Sequence, residues 1–424
     1  MILFSTKLKD NCRVKQIYLR LASVLHLPDK MTANTKLASR KGIIEGEHII
    51  GSFAGDEEGA TLIAVGSLHG NEPGGASALR NLASKLDSLR PRLRGRVYLL
   101  AGNTRAFRRG VRFINADLNR HWTPANLEKN KAGSFPEISE DLEQRELLGI
   151  FAEILQTAKD EVYLLDLHST SAPGLPFATV GDTMRNRRFA QKFPVTILLG
   201  IEEQLDGTML EYLNNFGAIT LGFEGGQHES PKTAENHEAL IWLALVNAGI
   251  LDKSRVPDFE QQKEILKVAS GENRIVEVRH REGVASEDKF VMNPGFENFD
   301  EIRKGQLLAK NKSGEIKANE SGLILMPLYQ KQGEDGFFIG REVKPFWLKL
   351  SAALRSLKIA DFMHLLPGVR RHPNDKESLI VNTRVARFFP LQIFHLLGFR
   401  KRRFNENQLV VSRRKFDTKS PFRR

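Results

Sequence analysis

Short apolar runs alternate with longer stretches of helical periodicity through the first 250 residues. The runs are Ala60 to Val65, Val97 to Ala101, Val162 to Leu167, Val195 to Leu199 and Ala218 to Phe223. Their length suits strands rather than helices. Between them, Gly74 to Leu89, Leu142 to Thr157, Arg185 to Lys192, Met209 to Phe216 and Ala234 to Ala248 read as helices. This alternation predicts an α/β domain with a mixed, mostly parallel sheet flanked by helices.

After Pro257 the texture changes. Residues Lys263 to Glu342 are rich in β-branched residues and Gly turns, with alternations such as Arg274-Ile275-Val276-Glu277-Val278-Arg279. A smaller C-terminal β domain of about half a dozen strands is expected there. From Val343 onward, helical stretches (Phe346 to Leu357, Leu391 to Leu397) are interleaved with the basic clusters Arg400 to Arg403 and Arg413 to Lys415. Residues 1–45 are polar and mixed in charge, with one helix expected around Val14 to Leu25. The chain therefore divides into an extension over 1–45, a catalytic domain over 46–257, a β-rich domain over 263–342 and a basic extension over 343–424.

An apolar content of 41% with 27% charged residues places the 424-residue chain among globular proteins. No run of about 18 apolar residues is present to span a bilayer. Met1 to Asp10 lacks the apolar core and cleavage site of a signal peptide. Cys12 is the only cysteine, which excludes an internal disulfide and points to a reducing, cytoplasmic setting. The formal charge of +12 is unevenly spread: residues 343–424 hold 19 Lys plus Arg against 5 Asp plus Glu, leaving 44 against 46 elsewhere. No nucleic acid is expected for the catalytic body. For the tail, docking on an anionic surface stands against a solvated segment or a contact in a homo-oligomer.

Ligands of open α/β sheets bind beyond the C-terminal strand ends, so the residues there carry the chemistry. The first strand leads into His69-Gly70-Asn71-Glu72-Pro73, an imidazole and a carboxylate at a strand-to-helix corner. Catalytic zinc takes three protein ligands, often two His and one Glu, and keeps a position for water. His168, in Asp166-Leu167-His168-Ser169-Thr170, completes such a set; the plain alternative is a hydrogen-bonded histidine at a domain edge. Asp166 either accepts the second ring proton of a ligand histidine or satisfies a neighbouring amide. Glu224, between an apolar strand and Gly225-Gly226, suits a general base and then an acid toward a leaving amine, or is simply a solvated strand-end residue. Arg112, Asn119 and Arg120 form a candidate anion clamp, since guanidinium groups fork onto carboxylates. Their segment mixes apolar and charged residues too tightly for a solvated loop.

Taken together, His69-x-x-Glu72, Arg112-Phe113-Ile114-Asn115-Ala116-Asp117-Leu118-Asn119-Arg120, Asp166-Leu167-His168-Ser169-Thr170 and Gly222-Phe223-Glu224 resemble the succinylglutamate desuccinylase/aspartoacylase family of zinc carboxypeptidase-like hydrolases. Met292-Asn293-Pro294-Gly295-Phe296 and Met326-Pro327-Leu328-Tyr329-Gln330 resemble its C-terminal half, so the likeness covers roughly residues 46 to 342. The resemblance implies one Zn2+ per chain on His69, Glu72 and His168, with Glu224 as catalytic carboxylate and Arg112 polarising the substrate carbonyl. It implies Asn119 and Arg120 on a substrate carboxylate, joined by Arg185. Two departures stand out. Asn115 occupies a position often held by Asp, and Gly336-Phe337-Phe338 lacks the tyrosine hydroxyl that aspartoacylase uses. The expected activity is zinc-dependent hydrolysis of the amide of an N-acyl amino acid or similar small anion. The alternatives are a metallocarboxypeptidase acting on peptides and a non-catalytic binding protein with a retained fold.

Overall fold

The computed structural model describes residues 46–423 apart from 90–91, 132–136, 383–384, 386–390 and 406–407. The extension over 1–45, with its expected helix and Cys12, lies outside the described residues.

The body is one mixed sheet. Its N-terminal part comprises β1 (Ile49–Ala54), β2 (Glu57–Gly66), β3 (Arg94–Ala101), β4 (Val162–Thr170), β5 (Phe177–Val180), β6 (Thr196–Leu199) and β7 (Ile219–Gln227). The β-rich part adds β8 (Ile275–Gly283), β9 (Val291–Met292), β10 (Glu301–Ile302), β11 (Leu307–Asn311), β12 (Gly314–Lys317), β13 (Gly322–Leu325) and β14 (Asp335–Glu342). Eleven strands run in the order β1-β3-β2-β4-β7-β5-β6-β8-β14-β13-β10, while β12-β11-β9 form a separate small sheet. The central β3-β2-β4-β7 pairings are parallel, and so are β5-β6-β8. The pairings at both margins, and β5 with β7, are antiparallel. The β-rich part thus extends the same sheet through β8 beside β6.

The helices are α1 (Pro73–Leu89), α2 (Thr104–Arg109), α3 (Pro124–Lys131), α4 (Ser139–Thr157), α5 (Met184–Ala190), α6 (Met209–Asn214), α7 (Pro231–Asn247) and α8 (Phe259–Ser270). They cover both faces of the sheet. Leu62 and Ala64 of β2 pack with Leu79 and Leu82 of α1 and Leu240 of α7, whereas Ile63 and Val65 pack on the other face with Leu147 and Phe151 of α4. Alternate side chains of a strand point to opposite faces, so burial on both sides requires the unbroken apolar runs seen in the sequence. Three expectations are corrected. The stretch from Lys263 to Ser270 is the end of helix α8, β4 continues through His168, and β7 continues through Glu224.

Residues 343–423 fold as well. Helix α9 (Pro345–Ser356) and a 3-10 segment, Ile359–Leu365, precede β15 (Val369–Arg371) and β16 (Ser378–Asn382). Helix α10 (Leu391–Leu396), β17 (Phe399–Asn405) and β18 (Gln408–Arg413) follow. The four strands form an antiparallel sheet, β15-β16-β18-β17, over a core that includes Phe394, Phe399 and Val411. Buried ion pairs fix this unit to the body. Arg355 reaches Asp182 Oδ2 at 2.8 Å, and Arg414 reaches Glu202 Oε1 at 2.6 Å and Glu203 Oε1 at 3.0 Å. Phe422 inserts into the body core beside Trp122 and Tyr212. Among the described residues, no helix is long and apolar enough to cross a membrane.

Candidate active site

The corner between β2 and α1 is held by its own backbone and Ser67. The amide of Glu72 donates to the carbonyl of His69 at 3.1 Å, and Ser67 Oγ donates to the carbonyl of Glu72 at 2.9 Å. Gly70 is required here, because a Cβ would stand 2.2 Å from the backbone of Ala106. Strand β4 brings His168 alongside. The two imidazoles meet at a centroid distance of 4.9 Å, and both aim Nδ1 at one carboxylate. His69 Nδ1 lies 2.8 Å from Glu72 Oε1, and His168 Nδ1 lies 3.1 Å from Glu72 Oε2. All three residues are buried. Their ligand atoms fall within 4.8 Å of one another, the arrangement of a candidate metal site.

The outer nitrogens face further carboxylates. His69 Nε2 is 3.1 Å from Asp117 Oδ1 and His168 Nε2 is 2.9 Å from Asp166 Oδ2. Ligand histidines typically present their second nitrogen to a carboxylate in this way. Both oxygens of Asp166 and Oε2 of Glu224 are buried without a hydrogen-bond partner, so at 2.9 Å the Asp166–His168 contact is ionic rather than an aligned hydrogen bond. A buried group of four carboxylates around two imidazoles, with orphaned oxygens, is the electrostatic environment a divalent cation fits.

The titration shifts follow from this crowding. Burial opposes charge on Glu72, yet the two histidines hold its carboxyl well below the usual range. Burial likewise opposes charge on His168, and Asp166 and Glu72 nonetheless carry it well above an ordinary imidazole. Glu224 goes the other way: burial pushes its carboxyl up to about 7, with Glu72 adding repulsion and His168 opposing.

The segment after β3 is half-buried, with Asn115 exposed and Asp117 to Asn119 buried, and one carboxylate anchors it. Glu140, on the first turn of α4, accepts from the amides of Ile114 (2.8 Å), Asn115 (3.1 Å) and Ala116 (3.3 Å). Asp117 then accepts from the amide of Asn119 at 2.8 Å. Arg112 reaches back, with Nη2 2.9 Å from His69 Nε2 and 3.1 Å from Asp117 Oδ2. Asn119 Oδ1 accepts from the amide of Met209, and its Nδ2 lies 3.4 Å from His168 Nε2. Arg120 donates to Asp335 Oδ2 at 2.6 Å, so this arginine already has an internal carboxylate partner.

His69, Glu72, Arg112, Asn119, Arg120, His168 and Glu224 all line one cavity of about 350 Å³. Arg185 does not. Its guanidinium is buried against Glu161 and donates to the carbonyl of Gly217 at 2.8 Å, so the structure removes it from the expected substrate clamp. Arg185, which the resemblance grouped with the substrate-binding residues, is instead an internal anchor.

Residues 58–245 match the Succinylglutamate desuccinylase/Aspartoacylase catalytic domain. This stretch is similar to the succinylglutamate desuccinylase/aspartoacylase family. Among curated relatives, a probable aspartoacylase of Acaryochloris marina is 30% identical over 131 residues, covering 30% of this chain and 41% of that protein. A succinylglutamate desuccinylase of Pseudomonas paraeruginosa is 35% identical over 78 residues, covering 18% and 24%. The matches therefore span less than half the length of either relative. Two solved structures are similar over most of their length. One is the product-bound ectoine utilization protein of Ruegeria pomeroyi (19% identity, 68% of this chain and 87% of that one, TM-score 0.49). The other is a succinylglutamate desuccinylase/aspartoacylase of Rhodobacter sphaeroides (18% identity, 69% and 88%, TM-score 0.49).

Several residues of the cavity escaped sequence reasoning. Gln330 approaches His228 Nε2 at 3.2 Å and accepts from Asn71 at 2.8 Å, bringing the β-rich part to the corner between β2 and α1. Phe338, in the stretch already noted for its missing tyrosine hydroxyl, lines the cavity from β14. Arg400, Arg413, Arg414 and Lys415 close its far end from the C-terminal extension. Only their basicity was visible in sequence, since no spacing ties them to the body. A second His-carboxylate group, His48 with Glu143 and Glu146, also comes together. Arg105 pairs with both of its carboxylates at 2.9 Å, which supplies the compensating charge without an ion.

Proposed function

We propose that the chain is a zinc-dependent deacylase that hydrolyses the amide of a small anionic N-acyl amino acid. The observation that carries this reading is the convergence of His69 Nδ1 and His168 Nδ1 on the Glu72 carboxylate, with Glu224 beside them in a closed-in cavity. His69, Glu72 and His168 would hold one ion, and Asp117 and Asp166 would orient the histidines. When bound, zinc supplies a Lewis acid that acidifies water and polarises a carbonyl.

The remaining chemistry belongs to the chain's own residues. Glu224, raised to about 7 by burial, is matched to taking a proton from water and returning it to the departing amine. Arg112, 2.9 Å from His69, is placed to stabilise negative charge developing on the carbonyl oxygen. Asn119 and Arg120 offer an amide and a guanidinium to a substrate carboxylate, with Asp335 tempering the charge of Arg120. Hydrolase chemistry is also what the names of the curated relatives describe. The cytoplasmic placement expected from the lone cysteine is part of the same proposal.

The test is a screen of N-acyl amino acids against zinc-loaded protein, scored by release of free amine, with dipeptides in parallel. Release from acyl amino acids supports the proposal. Release from dipeptides alone replaces it with a carboxypeptidase. Protein that binds no metal and turns over neither class is a binding protein with a retained fold.

A further inference from the structure

Six of the ten exposed large hydrophobic side chains among the described residues fall within twenty positions of the C-terminal extension. They are Phe346, Trp347, Leu357, Ile359, Phe362 and Leu365, with exposures of 37% to 70%. Their spacing gives them a common direction. In α9 and its capping residue Leu357, Phe346, Leu350, Ala353 and Leu357 recur at helical intervals on the face opposite the buried Ser351 and Arg355. In the 3-10 segment that follows, Ile359, Phe362 and Leu365 are three apart and therefore eclipse one another on a single exposed face. Two successive elements thus present continuous apolar stripes to solvent, which isolated surface leucines do not do.

The border of this surface is cationic. Lys344, Lys349, Lys358, Arg370 and Arg371 are exposed and make no ion pair among the described residues. The acidic neighbours are Glu342 and Asp361, and Arg413 already holds Asp361 at 2.7 Å. Aromatic and branched apolar side chains ringed by unpaired lysine and arginine match the boundary of an anionic bilayer: rings enter the headgroup layer while long basic side chains reach the phosphates. Homotypic association fits less well, since it would bring the same cations together without partners.

We propose that α9 and the Ile359–Leu365 segment form a docking surface for an anionic lipid bilayer, holding the hydrolase body at a membrane face without spanning it. The proposal is independent of the substrate assigned to the cavity.

Co-flotation of the full-length protein with vesicles tests it. One set contains phosphatidylcholine mixed with phosphatidylglycerol, whose negative surface potential attracts cations, and the other contains phosphatidylcholine alone. The expected result is binding to the anionic vesicles only, weakened by added salt. It should fall at least about tenfold in F362S/L365S and separately in K349E/K358E, as loss of either the apolar or the electrostatic contribution predicts. These side chains are exposed, so both variants should keep the parent unfolding midpoint, which is checked alongside. No flotation, equal flotation with neutral vesicles, or unchanged binding in both variants would overturn the proposal. So would a dimer that F362S/L365S converts to monomer, because a second copy would then cover this face.

Discussion

His168 and Glu224 are register partners on the adjacent parallel strands β4 and β7. Partners in a parallel pair project from the same face, and Asp166, two residues before His168, shares that face. Sheet register therefore sets a candidate metal ligand, the carboxylate that orients it and a candidate proton carrier side by side. None of this depends on loop conformation. Burial opposes charge on both His168 and Glu224, but Asp166 and Glu72 carry His168 to its charged form, whereas Glu224 is left favouring its neutral one.

Replacing Glu224 by Gln keeps the volume and removes the ionisable oxygen. We expect metal binding to persist and turnover to fall by about 10²–10⁴, the range that general acid–base help supplies. Steady-state rates on the best substrate from the acyl amino acid screen, with metal content measured in parallel, check this. A variant within a few-fold of wild type would remove Glu224 from proton transfer.

His168→Ala takes away a proposed ligand, and Asp117→Ala takes away only the carboxylate 3.1 Å behind His69. Elemental analysis should find the first variant largely free of zinc. The second should retain a site that is about 10–100-fold weaker, the usual cost of losing a group that orients a ligand histidine. Competition with a chelator measures the difference. Equal affinity in Asp117→Ala and wild type would mean that Asp117 serves Arg112 and the 118–120 turn alone.

Much of this arrangement was legible in sequence because the central sheet is parallel and buried. Runs such as Leu62 to Val65 and Leu164 to Leu167 must be apolar on both faces, and the first polar residues after them mark the strand ends where ligands collect. Arg185 misled because its neighbourhood, Met184-Arg185-Asn186, says nothing about Glu161, which lies 24 positions earlier and captures it. The four strands over 369–413 escaped because basic residues on Phe399–Asn405 mask its alternation, and its pairing with β18 is a matter of long-range contact. Gln330 and the cations at the far end of the cavity share that cause. Each reaches the site through sheet closure or domain packing, which no local pattern encodes.

Arg414 tests how firmly the extension is part of the body. Its guanidinium is buried between Glu202 and Glu203, and their carboxylates hold it charged despite burial. Arg414→Ala leaves Glu202 buried without a cation, and breaking a buried pair in this way costs about 3–5 kcal/mol. A clear fall in the thermal midpoint is expected. The cavity also loses part of its far wall, so longer acyl substrates should lose their discrimination against short ones. An unchanged midpoint would mean that the extension is only loosely held.

His395 gives the same contact a pH dependence. Its Nε2 is 3.0 Å from Glu203 Oε2 and its Nδ1 is 3.7 Å from Glu277 Oε1. Burial alone would lower its pKa, but the two glutamates outweigh burial and the opposing Arg414, raising it to about 9. An unfolded histidine titrates near 6.5. Because the folded pKa is the higher one, the folded state holds this proton more tightly. The resulting stabilisation is complete below about pH 6.5 and is lost as pH rises through about 9. Denaturant midpoints should therefore fall between pH 7 and pH 10 in the wild type, and fall less in His395→Gln, which bears no titrating ring. If both proteins lose the same stability over that interval, the proton on His395 does not hold the extension to the body.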